Sequence, residues 1–112
     1  GEGAGLGYNL NLPLPAGSGD AALLDALDEA CGRILDHGAE ALVVSLGVDA
    51  HEDDPTQGLS ITHDGFRRAA ARLAALNLPT VLIQEGGYNE GTIGRCISSA
   101  LAGFEEARRS TA

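Results

Sequence analysis

The sequence predicts an α/β sandwich with a mostly parallel sheet, on three observations. ALVVSLG, residues 41 to 47, is a short, unbroken apolar run rich in β-branched residues, as suits a parallel strand covered on both faces. PTVLIQEGGYN, residues 79 to 89, repeats the plan. Stretches of helical spacing separate and follow these runs, and with an alternating segment near the start the order reads β-α-β-α-β-α. If one crossover helix joins the two runs, they are parallel. Asp49 and Tyr88, just past their ends, then emerge on one edge of the sheet, where ligand sites of open α/β sheets collect.

The first element expected is a half-buried strand over residues 8 to 15, YNLNLPLP, in which Leu10, Leu12 and Leu14 alternate with Asn9, Asn11 and Pro13. Pro13 lacks an N–H, so the strand belongs at an edge or ends early. The preceding GEGAGLG is no dinucleotide-binding loop, because the third glycine is misplaced and no strand-loop-helix context surrounds it. AGSGD supplies a turn, with Ser18 or Asp20 as helix N-cap. Leu23, Leu24, Leu27, Ala30, Cys31, Ile34 and Leu35 form one apolar stripe, and His37 and Gly38 close that helix.

After the strand at 41 to 47 comes AHEDDPTQGLSIT, a long polar loop of the kind that carries function in α/β units. Thr62 or His63 can cap the next helix, whose buried face is Phe66, Ala69, Ala70, Leu73 and Leu76. Pro79 ends that segment. Beyond Tyr88, Asn89 can cap a third helix with Glu90 in its first turn, and Ile93, Cys96, Ile97, Ala100, Leu101 and Phe104 give its stripe.

The 112 residues bound a single domain able to bury roughly two thirds of its unfolded surface. A chain that opens on Gly1 and holds no Met is expected to be a piece of a longer protein. Its formal charge of -9, from 16 acids and 7 bases, argues against nucleic acid as partner and is compatible with a cationic substrate. Cys31 and Cys96 fall at apolar helical positions, where free cysteine behaves as a small hydrophobe. No apolar run approaches the roughly 18 to 20 residues that cross a bilayer, so no membrane partner is expected and a cytoplasmic location is the default.

Asp49 follows a buried strand, so its carboxylate is expected to be paired, hydrogen-bonded or bound to a metal; a loop-bracing aspartate is the alternative. Asp49 and His51 would share a face if the chain stayed extended, as half of a zinc site. Glu52, Asp53 and Asp54 offer oxygen ligands without EF-hand spacing, and a solvated acidic loop is the alternative. Gly86 and Gly87 allow a sharp turn and close approach to a ligand, or are simply a strand-to-helix turn. Tyr88 offers a phenolic hydroxyl that can donate to a developing oxyanion, with packing as the alternative.

Taken together, NLNLPLPAG at 9 to 17, SLGVDAHEDDP at 45 to 55, GLSIT at 58 to 62 and QEGGYN at 84 to 89 resemble the zinc-dependent histone deacetylase superfamily. GVD, an acidic DP and EGGY look most like bacterial acetylpolyamine amidohydrolases and related class II-like deacetylases. The resemblance implies an arginase-like three-layer α/β sandwich, with residues 1–112 the C-terminal portion of one deacetylase domain. It implies zinc (Zn2+) held by two aspartates and a histidine, Asp49 matching the second aspartate. It makes Tyr88 the tyrosine that hydrogen-bonds the substrate carbonyl, and gives His51 no ligand role. Gly86 and Gly87 belong to the substrate-binding motif. Thr56 stands where a residue lines the acyl-amine tunnel; family members often carry a larger apolar side chain there, which leaves the tunnel's width and polarity open.

The implied function is removal of acetyl groups from acetylated amines, acetylpolyamine or acetyl-lysine. The remaining zinc ligands and the histidine pair are expected upstream, so the chain alone should be catalytically incomplete. The competing class is a non-catalytic deacetylase-like scaffold or interaction module, and a homodimer is carried as a further partner state. An arginase-like two-manganese hydrolase would need further aspartates near Asp49, and Asp53 is the nearby candidate.

Overall fold

The computed structural model describes residues 1–111. A 3-10 turn at Gly3–Gly5 precedes helix α1 (Asp20–His37), strand β1 (Leu42–Leu46), helix α2 (His63–Ala74), strand β2 (Thr80–Gln84) and helix α3 (Ile93–Thr111). β1 and β2 pair in parallel, Leu42 opposite Thr80 and Leu46 opposite Gln84. The pairing continues past the strands: Glu85 N–H donates to Leu46 at 2.9 Å and Val48 N–H to Gly86 at 2.8 Å. This is an α/β fold with a parallel sheet flanked by helices, and it brings the ends of both strands to one edge.

The expected strand at residues 8 to 15 does not form. Pro13 and Pro15 have no N–H to give a ladder, and among the described residues no neighbouring strand accepts one. Leu12 and Leu14 are half-buried without it. Pairing begins later, where Gly19 bridges Ser60 in parallel and Ser60 N–H donates to Ser18 at 2.8 Å.

Nor is the sheet covered on both faces by this chain. Leu46 packs on the core of Val48, Ile61, Phe66, Ala70, Cys96 and Ala100. On the opposite face Val43, Val81 and Ile83 stand 67%, 56% and 43% exposed. Alternation within the apolar runs thus turns Leu42, Val44, Leu46 and Leu82 to the covered face and leaves Val43, Val81 and Ile83 open.

The helix ends follow local chemistry in part. Gly38 takes the left-handed conformation, φ 77°, that closes α1, and its N–H returns to Ile34 and Leu35. Thr62 caps α2, its hydroxyl accepting Gly65 N–H at 3.0 Å. At the start of α1 neither Ser18 nor Asp20 caps: Gly19 is the N-cap residue, the Ser18 hydroxyl donates to Pro15, and Asp20 instead accepts the main-chain N–H of Thr62 at 2.9 Å and its hydroxyl. α3 begins at Ile93, after a turn in which Asn89 accepts the N–H groups of Gly91, Thr92 and Ile93. α2 and α3 pack closely because Gly103 is buried against the backbone of Arg67. Among the described residues no helix is long and apolar enough to cross a membrane.

Candidate active site

The long loop after β1 is built from successive tight turns. His51 N–H donates to Val48, Asp54 N–H to His51 and Gln57 N–H to Asp54, while Glu52 N–H and Ile61 N–H tie the two arms of the loop together. This compact path decides which side chains face the sheet edge and which turn away.

Asp49 faces it. A β-carbon on Gly86 would lie 2.6 Å from Asp49 Oδ2, and one on Gly47 would lie 2.8 Å from Oδ1, so the carboxylate rests in a notch that glycine backbone leaves open. Among the described residues no donor is hydrogen-bonded to that carboxylate; Asp49 bonds through its carbonyl, which lies 3.1 Å from the Thr56 hydroxyl. Tyr88 follows Gly86 and Gly87 at the corresponding end of β2 and is 62% exposed. Gly87 has φ 145°, and a β-carbon there would collide with Val48 Cγ2 at 2.6 Å, so side chains are excluded at this turn.

His51 and Asp49 do not share a face. The chain turns at residues 49 and 50, and the His51 ring is buried, 2% exposed, against His63 and Phe66. Its Nδ1 accepts Asp53 N–H at 3.1 Å, so the neutral ring carries its proton on Nε2, a buried atom with no partner among the described residues. Nε2 in that tautomer has no lone pair for a metal. The grouping of His51, His63 and Cys96, with ligand-type atoms within 4.8 Å of one another, therefore packs the loop onto the helices in this state. Cys96 Sγ and His63 Nδ1 lie 3.4 Å apart, and burial pushes the thiol up. His63 is held below its ordinary value by burial and by the nearby His51 and Arg95.

The acidic run divides. Glu52 and Asp53 are exposed, whereas Asp54 is 2% exposed. Its Oδ1 accepts the N–H of Thr56 at 3.0 Å and lies 2.8 Å from the Thr56 hydroxyl; its Oδ2 accepts the N–H of Tyr88 at 2.9 Å. Burial alone would raise this carboxyl, but the Thr56 N–H, the Tyr88 N–H and the Thr56 hydroxyl outweigh it and hold it below the usual carboxylate range. The run is therefore not a solvated loop throughout, and its three carboxylates do not converge: Glu52 and Asp53 have oxygens within 4.8 Å of each other and of a His51 ring nitrogen, while Asp54 turns to Thr56 and Tyr88. The local half of this arrangement was readable, since Asp-Pro-Thr favours an aspartate bonding two residues ahead. The bond to Tyr88 spans 34 positions and has no local mark. Thr56 is exposed, with its hydroxyl engaged by the loop.

The profile of the histone deacetylase domain matches residues 1–104. The chain is 44% identical over 104 residues to an acetylpolyamine amidohydrolase of Burkholderia pseudomallei, covering 93% of this chain and 30% of that protein. It is 45% identical over 109 residues to acetylpolyamine amidohydrolase 1 of Pseudomonas aeruginosa, covering 97% of this chain and 32% of that one. The crystal structure of an acetylpolyamine aminohydrolase from Burkholderia pseudomallei superposes with a TM-score of 0.91 at 43% identity, over 96% of this chain and 31% of that chain. The chain thus spans about a third of the length of these relatives. Because the match spans residues 1–104, including both strand ends that carry Asp49 and Tyr88, the chain belongs to the histone deacetylase family.

Proposed function

We propose that the intact protein is a zinc-dependent amidohydrolase that removes acetyl groups from acetylated amines, acetylpolyamine or acetyl-lysine. On this reading the chain is the C-terminal part of a three-layer sandwich and carries only part of the active site. The observation that carries it is the delivery of Asp49 and Tyr88 to one sheet edge by adjacent parallel strands. The open face of Val43, Val81 and Ile83 supports a further layer, as does a chain that spans 30% of one relative.

Asp49 fits one corner of a zinc site: a carboxylate oxygen donor with no hydrogen-bond donor on it among the described residues, seated against the backbone of Gly47 and Gly86. Zinc held by Asp49 and ligands outside this chain would supply Lewis-acid polarisation of the acyl carbonyl and a water of lowered pKa. Tyr88 donates its phenolic O–H to the acyl oxygen as that atom gains negative charge, which stabilises the transition state more than the ground state. Gly86 and Gly87 let the backbone approach the acyl group, and Thr56 borders its path. The water oxygen adds to the acyl carbon, the C–N bond breaks and the water's protons pass to the departing nitrogen, so that acetate and a protonated amine leave. Exposed Glu52, Asp53 and Glu90 near Tyr88 give the entrance a negative potential that favours a cationic amine.

The test is an assay of the zinc-loaded full-length protein with acetylputrescine and with an acetyl-lysine peptide. Release of acetate from at least one is expected. No release from either, with zinc bound, would overturn the reading in favour of the non-catalytic scaffold.

A further inference from the structure

We propose that Asp54 is a positioning residue for Tyr88: its buried carboxylate fixes the backbone from which the phenol projects and locks it to the loop that bears Asp49. The inference rests on the hydrolase reading above and adds a residue to it.

The Tyr88 side chain contributes little to its own anchorage. It follows two glycines, of which Gly87 adopts a φ of 145°, and its own side chain is 62% exposed. A phenol on such a segment can donate to an acyl oxygen only if its main chain is anchored, because donor distances matter on a scale of tenths of an ångström. Asp54 provides the anchor. Oδ2 takes the Tyr88 N–H at 2.9 Å, while Oδ1 takes the Thr56 N–H at 3.0 Å and faces the Thr56 hydroxyl, which also reaches the Asp49 carbonyl at 3.1 Å. One carboxylate thus couples Tyr88 to the turn that follows Asp49. A second tie runs beside it, from the Asn89 side-chain amide to the Asp53 carbonyl at 2.8 Å. Asp54 itself is 2% exposed with both oxygens committed, so it acts through Tyr88 and does not touch substrate.

A double-mutant cycle in the zinc-loaded full-length enzyme tests this. Asp54→Asn keeps the shape but turns an amide N–H2 toward one of the N–H groups the carboxylate accepted. Expected is a fall in kcat of roughly ten- to a hundredfold with KM little changed and zinc content intact, the scale of a misplaced catalytic group. In a Tyr88→Phe background the same change should cost no further kcat, since the hydroxyl it positions is gone. An equal loss in both backgrounds, or a loss of zinc, would mark Asp54 as merely structural and overturn the inference. If Asp54→Asn does not fold, the α-hydroxy acid analogue of tyrosine at position 88 removes the N–H while keeping both the phenol and Asp54. The same fall in kcat is expected there, and unchanged kcat overturns the inference. A Tyr88→Phe enzyme of near-normal turnover overturns the hydrolase reading as well. A crippled Tyr88→Phe enzyme beside an unaffected Asp54→Asn enzyme overturns this inference alone.

Discussion

The carboxylate of Asp49 leans on the backbone of Gly86: a β-carbon at residue 86 would stand 2.6 Å from Oδ2 and 2.8 Å from Cγ. Gly86 lies outside the left-handed region, and the atoms that crowd a methyl there all belong to Asp49. Gly86→Ala therefore displaces the carboxylate while leaving the backbone acceptable. Zinc affinity of the full-length protein should fall by about ten- to a hundredfold, the scale of a disturbed ligand support, with an unchanged circular dichroism spectrum. Retention of full zinc affinity would separate Asp49 from the metal.

Asp49→Ala should lose zinc outright, measured by metal analysis of the purified full-length protein. Asp49→Asn preserves the shape and removes the charge, and should also lower zinc content, because a neutral amide is a poor substitute for a carboxylate ligand. Normal zinc stoichiometry in both variants would contradict the role given to this residue.

Tyr88→Phe should cut kcat by about a hundred- to a thousandfold, the usual cost of one oxyanion donor, with zinc content preserved. Tyr88 is exposed, so the substitution should leave the melting temperature nearly unchanged. A loss below about tenfold would count against the phenol as donor.

Thr62 both caps α2 and supplies two donors to Asp20 at the start of α1. Thr62→Ala removes the cap and the hydroxyl donor, leaving the main-chain N–H bond to Asp20. Denaturant unfolding should show a loss of about 1 to 2 kcal/mol, at the upper end for a helix cap. A change within measurement error would show that α1 and α2 do not depend on this junction.

His63 titrates below its ordinary value of about 6.5 in the folded chain, through burial and then the nearby His51 and Arg95. The unfolded chain therefore takes up a proton at higher pH than the folded one. This contribution to stability is present in full above about 6.5 and is lost as the pH falls from there through the depressed folded value. Melting temperatures between pH 7 and 5 should fall on acidification, and His63→Gln should flatten the slope. An unchanged slope in the variant would assign the acid sensitivity elsewhere.

Features that depend on near neighbours and periodicity are legible in the linear order of residues. Apolar runs at 41 to 47 and 79 to 89, joined by a helical stretch, specify parallel strands, and with them the common edge of Asp49 and Tyr88. Gly38 and Thr62 as helix caps were equally local matters of backbone conformation and hydroxyl reach. Features that depend on distant partners emerge from folding alone. Residues 8 to 15 carry a strand's alternation but find no ladder among the described residues, because a strand exists only where a second backbone accepts its hydrogen bonds. Asp20, a cap candidate by position, serves Thr62 42 residues away. His51 turns from Asp49 into the core, and Asp54 leaves its acidic neighbours to hold Tyr88. A burying loop satisfies each carboxylate with whichever N–H groups the fold brings near, and a linear pattern does not contain that choice.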